Sequence, residues 1–270
     1  MTTFLGPRRH CQVCGPKGPA ATLLPDYSVP EWNVVACPSC AFVFIERTPL
    51  YQALSHEYAW EKTSADERDR RGRSLLGKLD QHTRWRLAFG KYLEERRLLA
   101  TIGRTGKVLD VGCGSTVRLP TGDLVPYGIE ISEYLATAAD PLFRARGGHV
   151  VHGPALDGMV EFPDDFFSAV LMRSYLEHET EARKVLELTN RKLRPGGVVL
   201  VKVPNFDSLS RKVMGISWCG FRFPDHVNYF TDTTLRALAE ATGFTYQCKN
   251  RLISFDDNIY SVLRKPIAVP

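Results

Sequence analysis

From residue 107 onward the chain is a succession of short apolar runs, KVLDVG, YGIEIS, HVVHG, FFSAVLM and GVVLVKV. Between them lie polar stretches with helix-forming residues, among them EYLATAADPLFRARG and ETEARKVLELTNRKL. Strand-length and helix-length segments in alternation predict βαβ units and hence a doubly wound, mostly parallel α/β sheet. The last part differs: TDTTLRALAEATGF predicts a capped helix, and FTYQCKNR with DNIYSVLRK predicts a closing strand pair.

The front of the chain has another pattern. Residues 8–46 place HCQVCG before a Pro-containing linker and a β-rich return, VVACPSCAFVFI, whose Val, Phe and Ile favour strand. Residues 47–62 form an aromatic connector with Tyr58 and Trp60, and 63–103 predict a helical region ending at Gly103 and Gly106. The expected division is a small ribbon over 1–48, a connector and helical region over 49–106, and the α/β domain over 107–270.

Composition narrows the class without changing this picture. Of 270 residues 44% are apolar and 24% charged, the usage of a globular protein. No window approaches the ~18–20 apolar residues of a membrane span, and no signal-peptide pattern opens the chain, so a cytoplasmic location is expected. The net charge of +5 lies entirely in the first 106 residues, with 16 Lys/Arg against 11 Asp/Glu. Such an excess is compatible with nucleic acid, but in sequence such as ERDRRGRSLLGK it more often solvates a helix face.

Cys11, Cys14, Cys37 and Cys40 form a CxxC-x22-CxxC pattern. Two such knuckles supply four thiolates for tetrahedral Zn²⁺ and leave no open coordination position, so the expected metal is structural.

VLDVGCGS, residues 108–115, reads as a strand ending near Asp110 and a turn through Gly112 and Gly114 that lets backbone approach a nucleoside. Glu130 ends the next apolar run, twenty residues after Asp110, where an acid can accept both ribose hydroxyls of an adenosine group. Spacing alone does not choose among NAD, FAD and S-adenosylmethionine.

The ordered set VLDVGCG, YGIEIS, FPDDFFSAVLMRSYLEH and LRPGGVVLVKVPN resembles the class I S-adenosylmethionine-dependent methyltransferases over roughly residues 105–205. That resemblance implies a seven-stranded Rossmann-like sheet and S-adenosylmethionine as methyl donor. It also implies that Gly112 and Gly114 approach the methionine end with Asp110 supporting the turn. Glu130 would hold the ribose, Ile131 would pack on adenine, Leu156 would sit near the adenine edge, and Arg173 would line the methionine part. Thr116 stands where the family usually has another Gly, and Pro120 leaves only a short first helix.

Residues 204–244 resemble the C-terminal signature of methyltransferases from bacterial sugar, surface-glycan and secondary-metabolite biosynthesis. In the sugar C-methyltransferases, which also carry a four-cysteine zinc module, an acid-His pair is followed three residues later by Tyr-Phe. Asp225, His226, Tyr229 and Phe230 match that pattern. His226 is therefore the favoured general base, with Tyr229 beside it, because histidine can take a proton from a weakly acidic acceptor near neutral pH.

His178, in SYLEHE, is the second candidate. In quinone-pathway O-methyltransferases an ExxEH run is associated with a divalent metal, but Ser174 stands where the first Glu would be. Glu177 and His178 are expected to organise the start of the following helix, and Tyr58 and Trp60 to close over the reaction site or pack on the sheet.

The leading expectation is methyl transfer to a small-molecule acceptor, a sugar, glycan precursor or secondary metabolite, with O-methylation ahead of C-methylation. An rRNA or tRNA base methyltransferase and a non-catalytic cofactor-binding scaffold are the alternatives. Nucleic acid is the less favoured partner and a homodimer is left open.

Overall fold

A computed structural model of the chain describes residues 5–49, 96, 99–119, 122–250 and 252–267. Tyr58, Trp60, Pro120 and nearly all of the expected helical region over 63–103 lie outside the described residues.

The α/β part contains β4 (Thr105–Val111), β5 (Asp123–Glu130), β6 (Val150–His152), β7 (Phe167–Arg173), β8 (Leu193–Pro204), β10 (Thr245–Cys248) and β11 (Asn258–Arg264). They form one seven-stranded sheet in the order β6-β5-β4-β7-β8-β11-β10. The five strands from β6 to β8 run parallel, and β11 enters antiparallel to β8 and to β10. β7 is central and buried along FSAVLM, as a strand covered on both faces requires.

Alternate residues of these strands feed two cores. Leu109, Val170, Val199 and Val201 belong to one, while Val108, Ala169, Leu171 and Leu200 belong to the other. That two-residue period fixes the register, because a slip of one position would exchange the faces.

The helices are α1 (Glu133–Arg144), α2 (Ala155–Val160), α3 (Ala182–Lys192), α4 (Leu209–Met214) and α5 (Asp232–Ala241). Ser132 caps α1 by accepting from Leu135 N at 3.4 Å. α5 opens on a reciprocal capping box between Thr231 and Thr234, the start expected from TDTT. Between β4 and β5 the described residues make turns and bends with no helix, so the short first helix expected there is replaced by irregular chain.

The front of the chain supplies β1 (Thr22–Leu23), β2 (Val34–Ala36) and β3 (Val43–Ile45). Their sheet has a fourth member, β9 (Asn228–Tyr229), which pairs Val43 with Tyr229 and Phe44 with Asn228. One face, through Val35, Phe42 and Phe44, joins the core over the large sheet. The other, through Val34, Val43 and Ile45, packs on Phe206, Trp218, Phe221 and Tyr229. The ribbon is thus held between the large sheet and the 205–230 segment.

Candidate functional site

The strand order reverses between β4 and β7, since the chain runs outward through β5 and β6 and then returns to the other side of β4. At such a switch point two loops part and leave a crevice beyond the carboxyl ends of the strands. Asp110 and Arg173, near the ends of β4 and β7, meet across it at 2.7 Å, both nearly excluded from solvent. Burial pushes the Asp110 carboxyl above its usual value, against the pull of Arg173.

The glycine bend is stitched to β5. Gly112 N and Cys113 N both donate to Ile129 O, at 2.8 and 3.3 Å. Gly112 and Gly114 have φ of +70° and +65°, conformations that a side chain would strain. A Cβ at Gly112 would press on the Tyr175 ring at 3.3 Å, whereas at Gly114 it would meet nothing within 4 Å. The room over Gly114 is what a ligand lying against the backbone needs.

Glu130 is buried beside this bend. One carboxylate oxygen accepts from Gly114 N at 2.9 Å and the other from Ser132 N at 3.0 Å. Each oxygen keeps a second lone pair, so the carboxylate is held in place with acceptor capacity left for a pair of hydroxyls. Ile131 follows it and receives the His152 ring nitrogen on its carbonyl at 3.1 Å. Leu156 is half-buried at the start of α2, and Thr116 is exposed.

The chain continues from Arg173 through Ser174, at φ +54°, to a turn that carries Tyr175, Glu177 and His178. Val227 N and Asn228 N both donate to Glu177 O, at 2.7 and 3.1 Å, which brings the 220–228 loop onto this turn. His178 Nδ1 lies 2.9 Å from an Asp225 carboxylate oxygen. The other oxygen of Asp225 pairs with Arg222 at 2.5 Å. His226 Nδ1 lies 2.8 Å from Gly220 O, and since a carbonyl only accepts, this nitrogen carries the proton and Nε2 keeps its lone pair. The two imidazoles meet edge to face with ring centres 4.7 Å apart.

The charges follow from these contacts. Burial pushes Asp225 up, but His178 and Arg222 outweigh it and hold the carboxyl at about 2. Burial pulls His178 down, but the Asp225 carboxylate prevails and raises it. His226 is held well below its ordinary value by burial and by the neighbouring His178. Burial lifts Glu177 to about 7.

Three features differ from the sequence reading. Asp225 adjoins His226 in sequence, yet its carboxylate serves His178, because His226 Nδ1 is taken by Gly220 O. The start of α3 is braced by Glu179, whose Oε1 accepts from Glu181 N at 2.9 Å, and not by Glu177 or His178. Tyr229 stands in the aromatic core of the ribbon face, 4.9 Å from the Phe221 ring centre, and burial raises its hydroxyl well above the usual value.

The four N-terminal cysteines come together. Cys11 and Cys40 sulfurs are 3.4 Å apart, Cys14 and Cys37 sulfurs 3.7 Å, and all four lie within 4.8 Å of one another. Tetrahedral zinc with Zn–S bonds of ~2.3 Å sets its sulfurs ~3.8 Å apart, so the donor set fits that ion. Gly15 and Ala41, the residues after each pair, have φ of +75° and +59°, which gives the two knuckles the same backbone turn.

Arg9 was not singled out by its sequence. Its guanidinium donates to Ile45 O, Val227 O, Thr180 O and Asn228 Oδ1, at 3.2, 2.9, 3.1 and 2.7 Å, and so ties the ribbon, β9 and the loop before α3 together. Burial holds it down to about 10. Arg183 adds a second tie, from α3 to the carbonyls of Gln12 and Val13 in the first knuckle.

The family model described as methyltransferase domain matches residues 84–249, more than half of the chain. The chain belongs to the methyltransferase domain family. It is an enzyme, with S-adenosylmethionine as the methyl donor that the family uses. No curated protein matches the methyltransferase in sequence. Among solved structures it is similar to a SAM-dependent methyltransferase from Archaeoglobus fulgidus, at 16% identity and a TM-score of 0.51 over 65% of this chain and 94% of that one. It is also similar to a chain of the complex between the Haloferax volcanii Trm112 methyltransferase activator and a methyltransferase. There the identity is 14% and the TM-score 0.50, over 67% of this chain and 92% of that one. At these identities the likeness concerns the fold, which is the expected α/β Rossmann-like sheet. Among the described residues of the methyltransferase no helix is long and apolar enough to cross a membrane.

Proposed function

We propose that the methyltransferase acts on a small-molecule acceptor, a sugar, glycan precursor or secondary metabolite, as a cytoplasmic biosynthetic enzyme, and that it methylates oxygen in preference to carbon. The observation that carries this reading is the His178–Asp225 contact, five residues beyond the arginine that closes the donor crevice. In the donor site Glu130 takes the ribose hydroxyls, Ile131 and Leu156 flank the adenine, and Gly112 and Gly114 give the methionine end its close approach. Asp110 and Arg173 hold the two strand ends at the distance this requires.

The sulfonium already activates the methyl group, so the enzyme must align the acceptor for in-line attack and receive its proton. His178 is suited to the second task. Asp225 orients its imidazole through Nδ1–H and stabilises the imidazolium that forms, leaving Nε2 for the acceptor, the same division of labour as in other His–carboxylate pairs. Its ring is also partly exposed, at 27%, whereas His226 is buried. His226, favoured by sequence, forms the inner wall of the acceptor pocket with its Nε2 as a second acceptor of hydrogen bonds, and Tyr229 fixes that wall from behind.

Residues 1–48 serve as a zinc ribbon, 49–106 as an aromatic connector and helical region, and 107–270 as the methyl-transfer domain. Cys11, Cys14, Cys37 and Cys40 hold the zinc, whose role is to fold the ribbon and so to set β9 and the loop carrying Asp225 and His226. The test is incubation with isotopically labelled S-adenosylmethionine and pools of nucleotide sugars, glycan precursors and hydroxylated metabolites. Label in an ether of one such acceptor is expected; label found only in RNA would contradict the acceptor class.

A further inference from the structure

We propose that Glu177, His178 and His226 form a second metal site, separate from the four thiolates, for a divalent transition cation such as Zn²⁺, Co²⁺ or Ni²⁺. One donor atom from each residue lies within 4.8 Å of the others. A cation bonded tetrahedrally to each at ~2.1 Å would hold them ~3.4 Å apart, so the three donors draw together by up to about 1.4 Å when it binds.

Two further observations point to a ligand. Glu177 is 1% exposed, and among the described residues its Oε2 has no hydrogen-bond partner, an arrangement that is costly for a buried carboxylate oxygen. The two histidines are each fixed from the far side of the ring, His178 Nδ1 by the Asp225 carboxylate and His226 Nδ1 by Gly220 O. Metal-bound histidines are oriented in this way, with the second ring N–H given to a carboxylate or a backbone carbonyl, which leaves Nε2 to bind. Imidazole nitrogens favour zinc, cobalt and nickel over magnesium or calcium, and three protein ligands leave the remaining positions to water.

The cation occupies the lone pair that His178 uses to receive the acceptor's proton, so it inhibits methyl transfer in competition with the acceptor and not with the donor. That consequence rests on the methyl-transfer reading; the binding itself does not. The experiment starts from full-length protein with one zinc on its thiolates, and follows Co²⁺ by equilibrium dialysis and visible absorption. A second equivalent is expected, with ligand-field bands and no thiolate-to-cobalt charge transfer. Glu177→Gln should weaken it by more than tenfold while calorimetry shows unchanged S-adenosylmethionine affinity. His178→Gln, at a partly exposed position, gives the same readout should the buried substitution prevent folding. A stoichiometry of one metal per chain, or undiminished binding of the second in both variants, overturns the proposal. A protein that takes the second cation and binds no donor upholds the site and overturns the methyl-transfer reading instead.

Discussion

Replacing Arg9 with Met tests whether the ribbon and the acceptor pocket are one mechanical unit. Arg9 lies 219 residues from Asn228 in sequence, yet its guanidinium joins the β3 end, the β9 strand and the loop before α3. The Ile45 bond, at 3.2 Å, is the weakest of the four. The other three, at ~1.5 kcal/mol each because the acceptors are neutral, sum to about 4–5 kcal/mol. Met restores the apolar stem and removes a buried cation whose desolvation opposed folding, so the net loss is about 3 kcal/mol. For a protein of this size each kcal/mol lowers the melting temperature by roughly 2–4 °C, which gives a fall of about 6–12 °C. Differential scanning calorimetry on zinc-loaded protein measures it. Because the donor crevice shares none of these bonds, S-adenosylmethionine affinity should stay within about twofold while the acceptor KM rises. A melting temperature within 2 °C or so of the parent, or a loss of donor affinity equal to the rise in KM, would refute the coupling.

Other outcomes follow from the same contacts. His178→Gln should lower kcat by about 100-fold or more, the usual contribution of a positioned general base, with donor affinity intact in calorimetry; near-parental turnover would remove His178 from the reaction. Asp110→Ala breaks a buried ion pair and leaves Arg173 without its carboxylate. It should cost about 3–5 kcal/mol in urea denaturation as well as weakening donor binding, and a loss under about 1 kcal/mol would contradict the burial assigned to that pair. Cys37→Ser, at a buried thiol in the core beneath the ribbon, should abolish stoichiometric zinc measured by elemental analysis and lower the melting temperature at least as far as Arg9→Met. Retention of one zinc per chain would show that the four-thiolate set is not the site.

The large sheet was legible because its signals are local. KVLDVG, FFSAVLM and GVVLVKV are apolar runs that became β4, β7 and β8, and TDTT announced the capping box of α5. The cysteine cluster was legible from spacing alone, since two knuckles have little else to do than meet on an ion. What stayed hidden depends on segments distant in sequence. Asp225 and His226 are neighbours that serve different partners, and the bonds to Glu177 O, together with the His178–Asp225 contact, reveal that the 220–228 loop lies on the turn after β7. Likewise β9 is two residues long and has no strand signature; it is a strand because β3 offers it an edge. Arg9 looks like any charged residue near a terminus, and its role is visible only once its four acceptors are brought together.

The claim on which the enzyme reading depends is that an adenosine group lies over the glycine bend with its ribose on Glu130. Isothermal titration with S-adenosylhomocysteine, on the parent and on Glu130→Ala, tests it most directly. A single site per chain is predicted, weakened by more than tenfold in the variant, as the loss of a charged hydrogen bond worth ~1.5–3 kcal/mol requires. Equal affinity in both proteins, or no heat of binding in the parent at millimolar ligand, would contradict it.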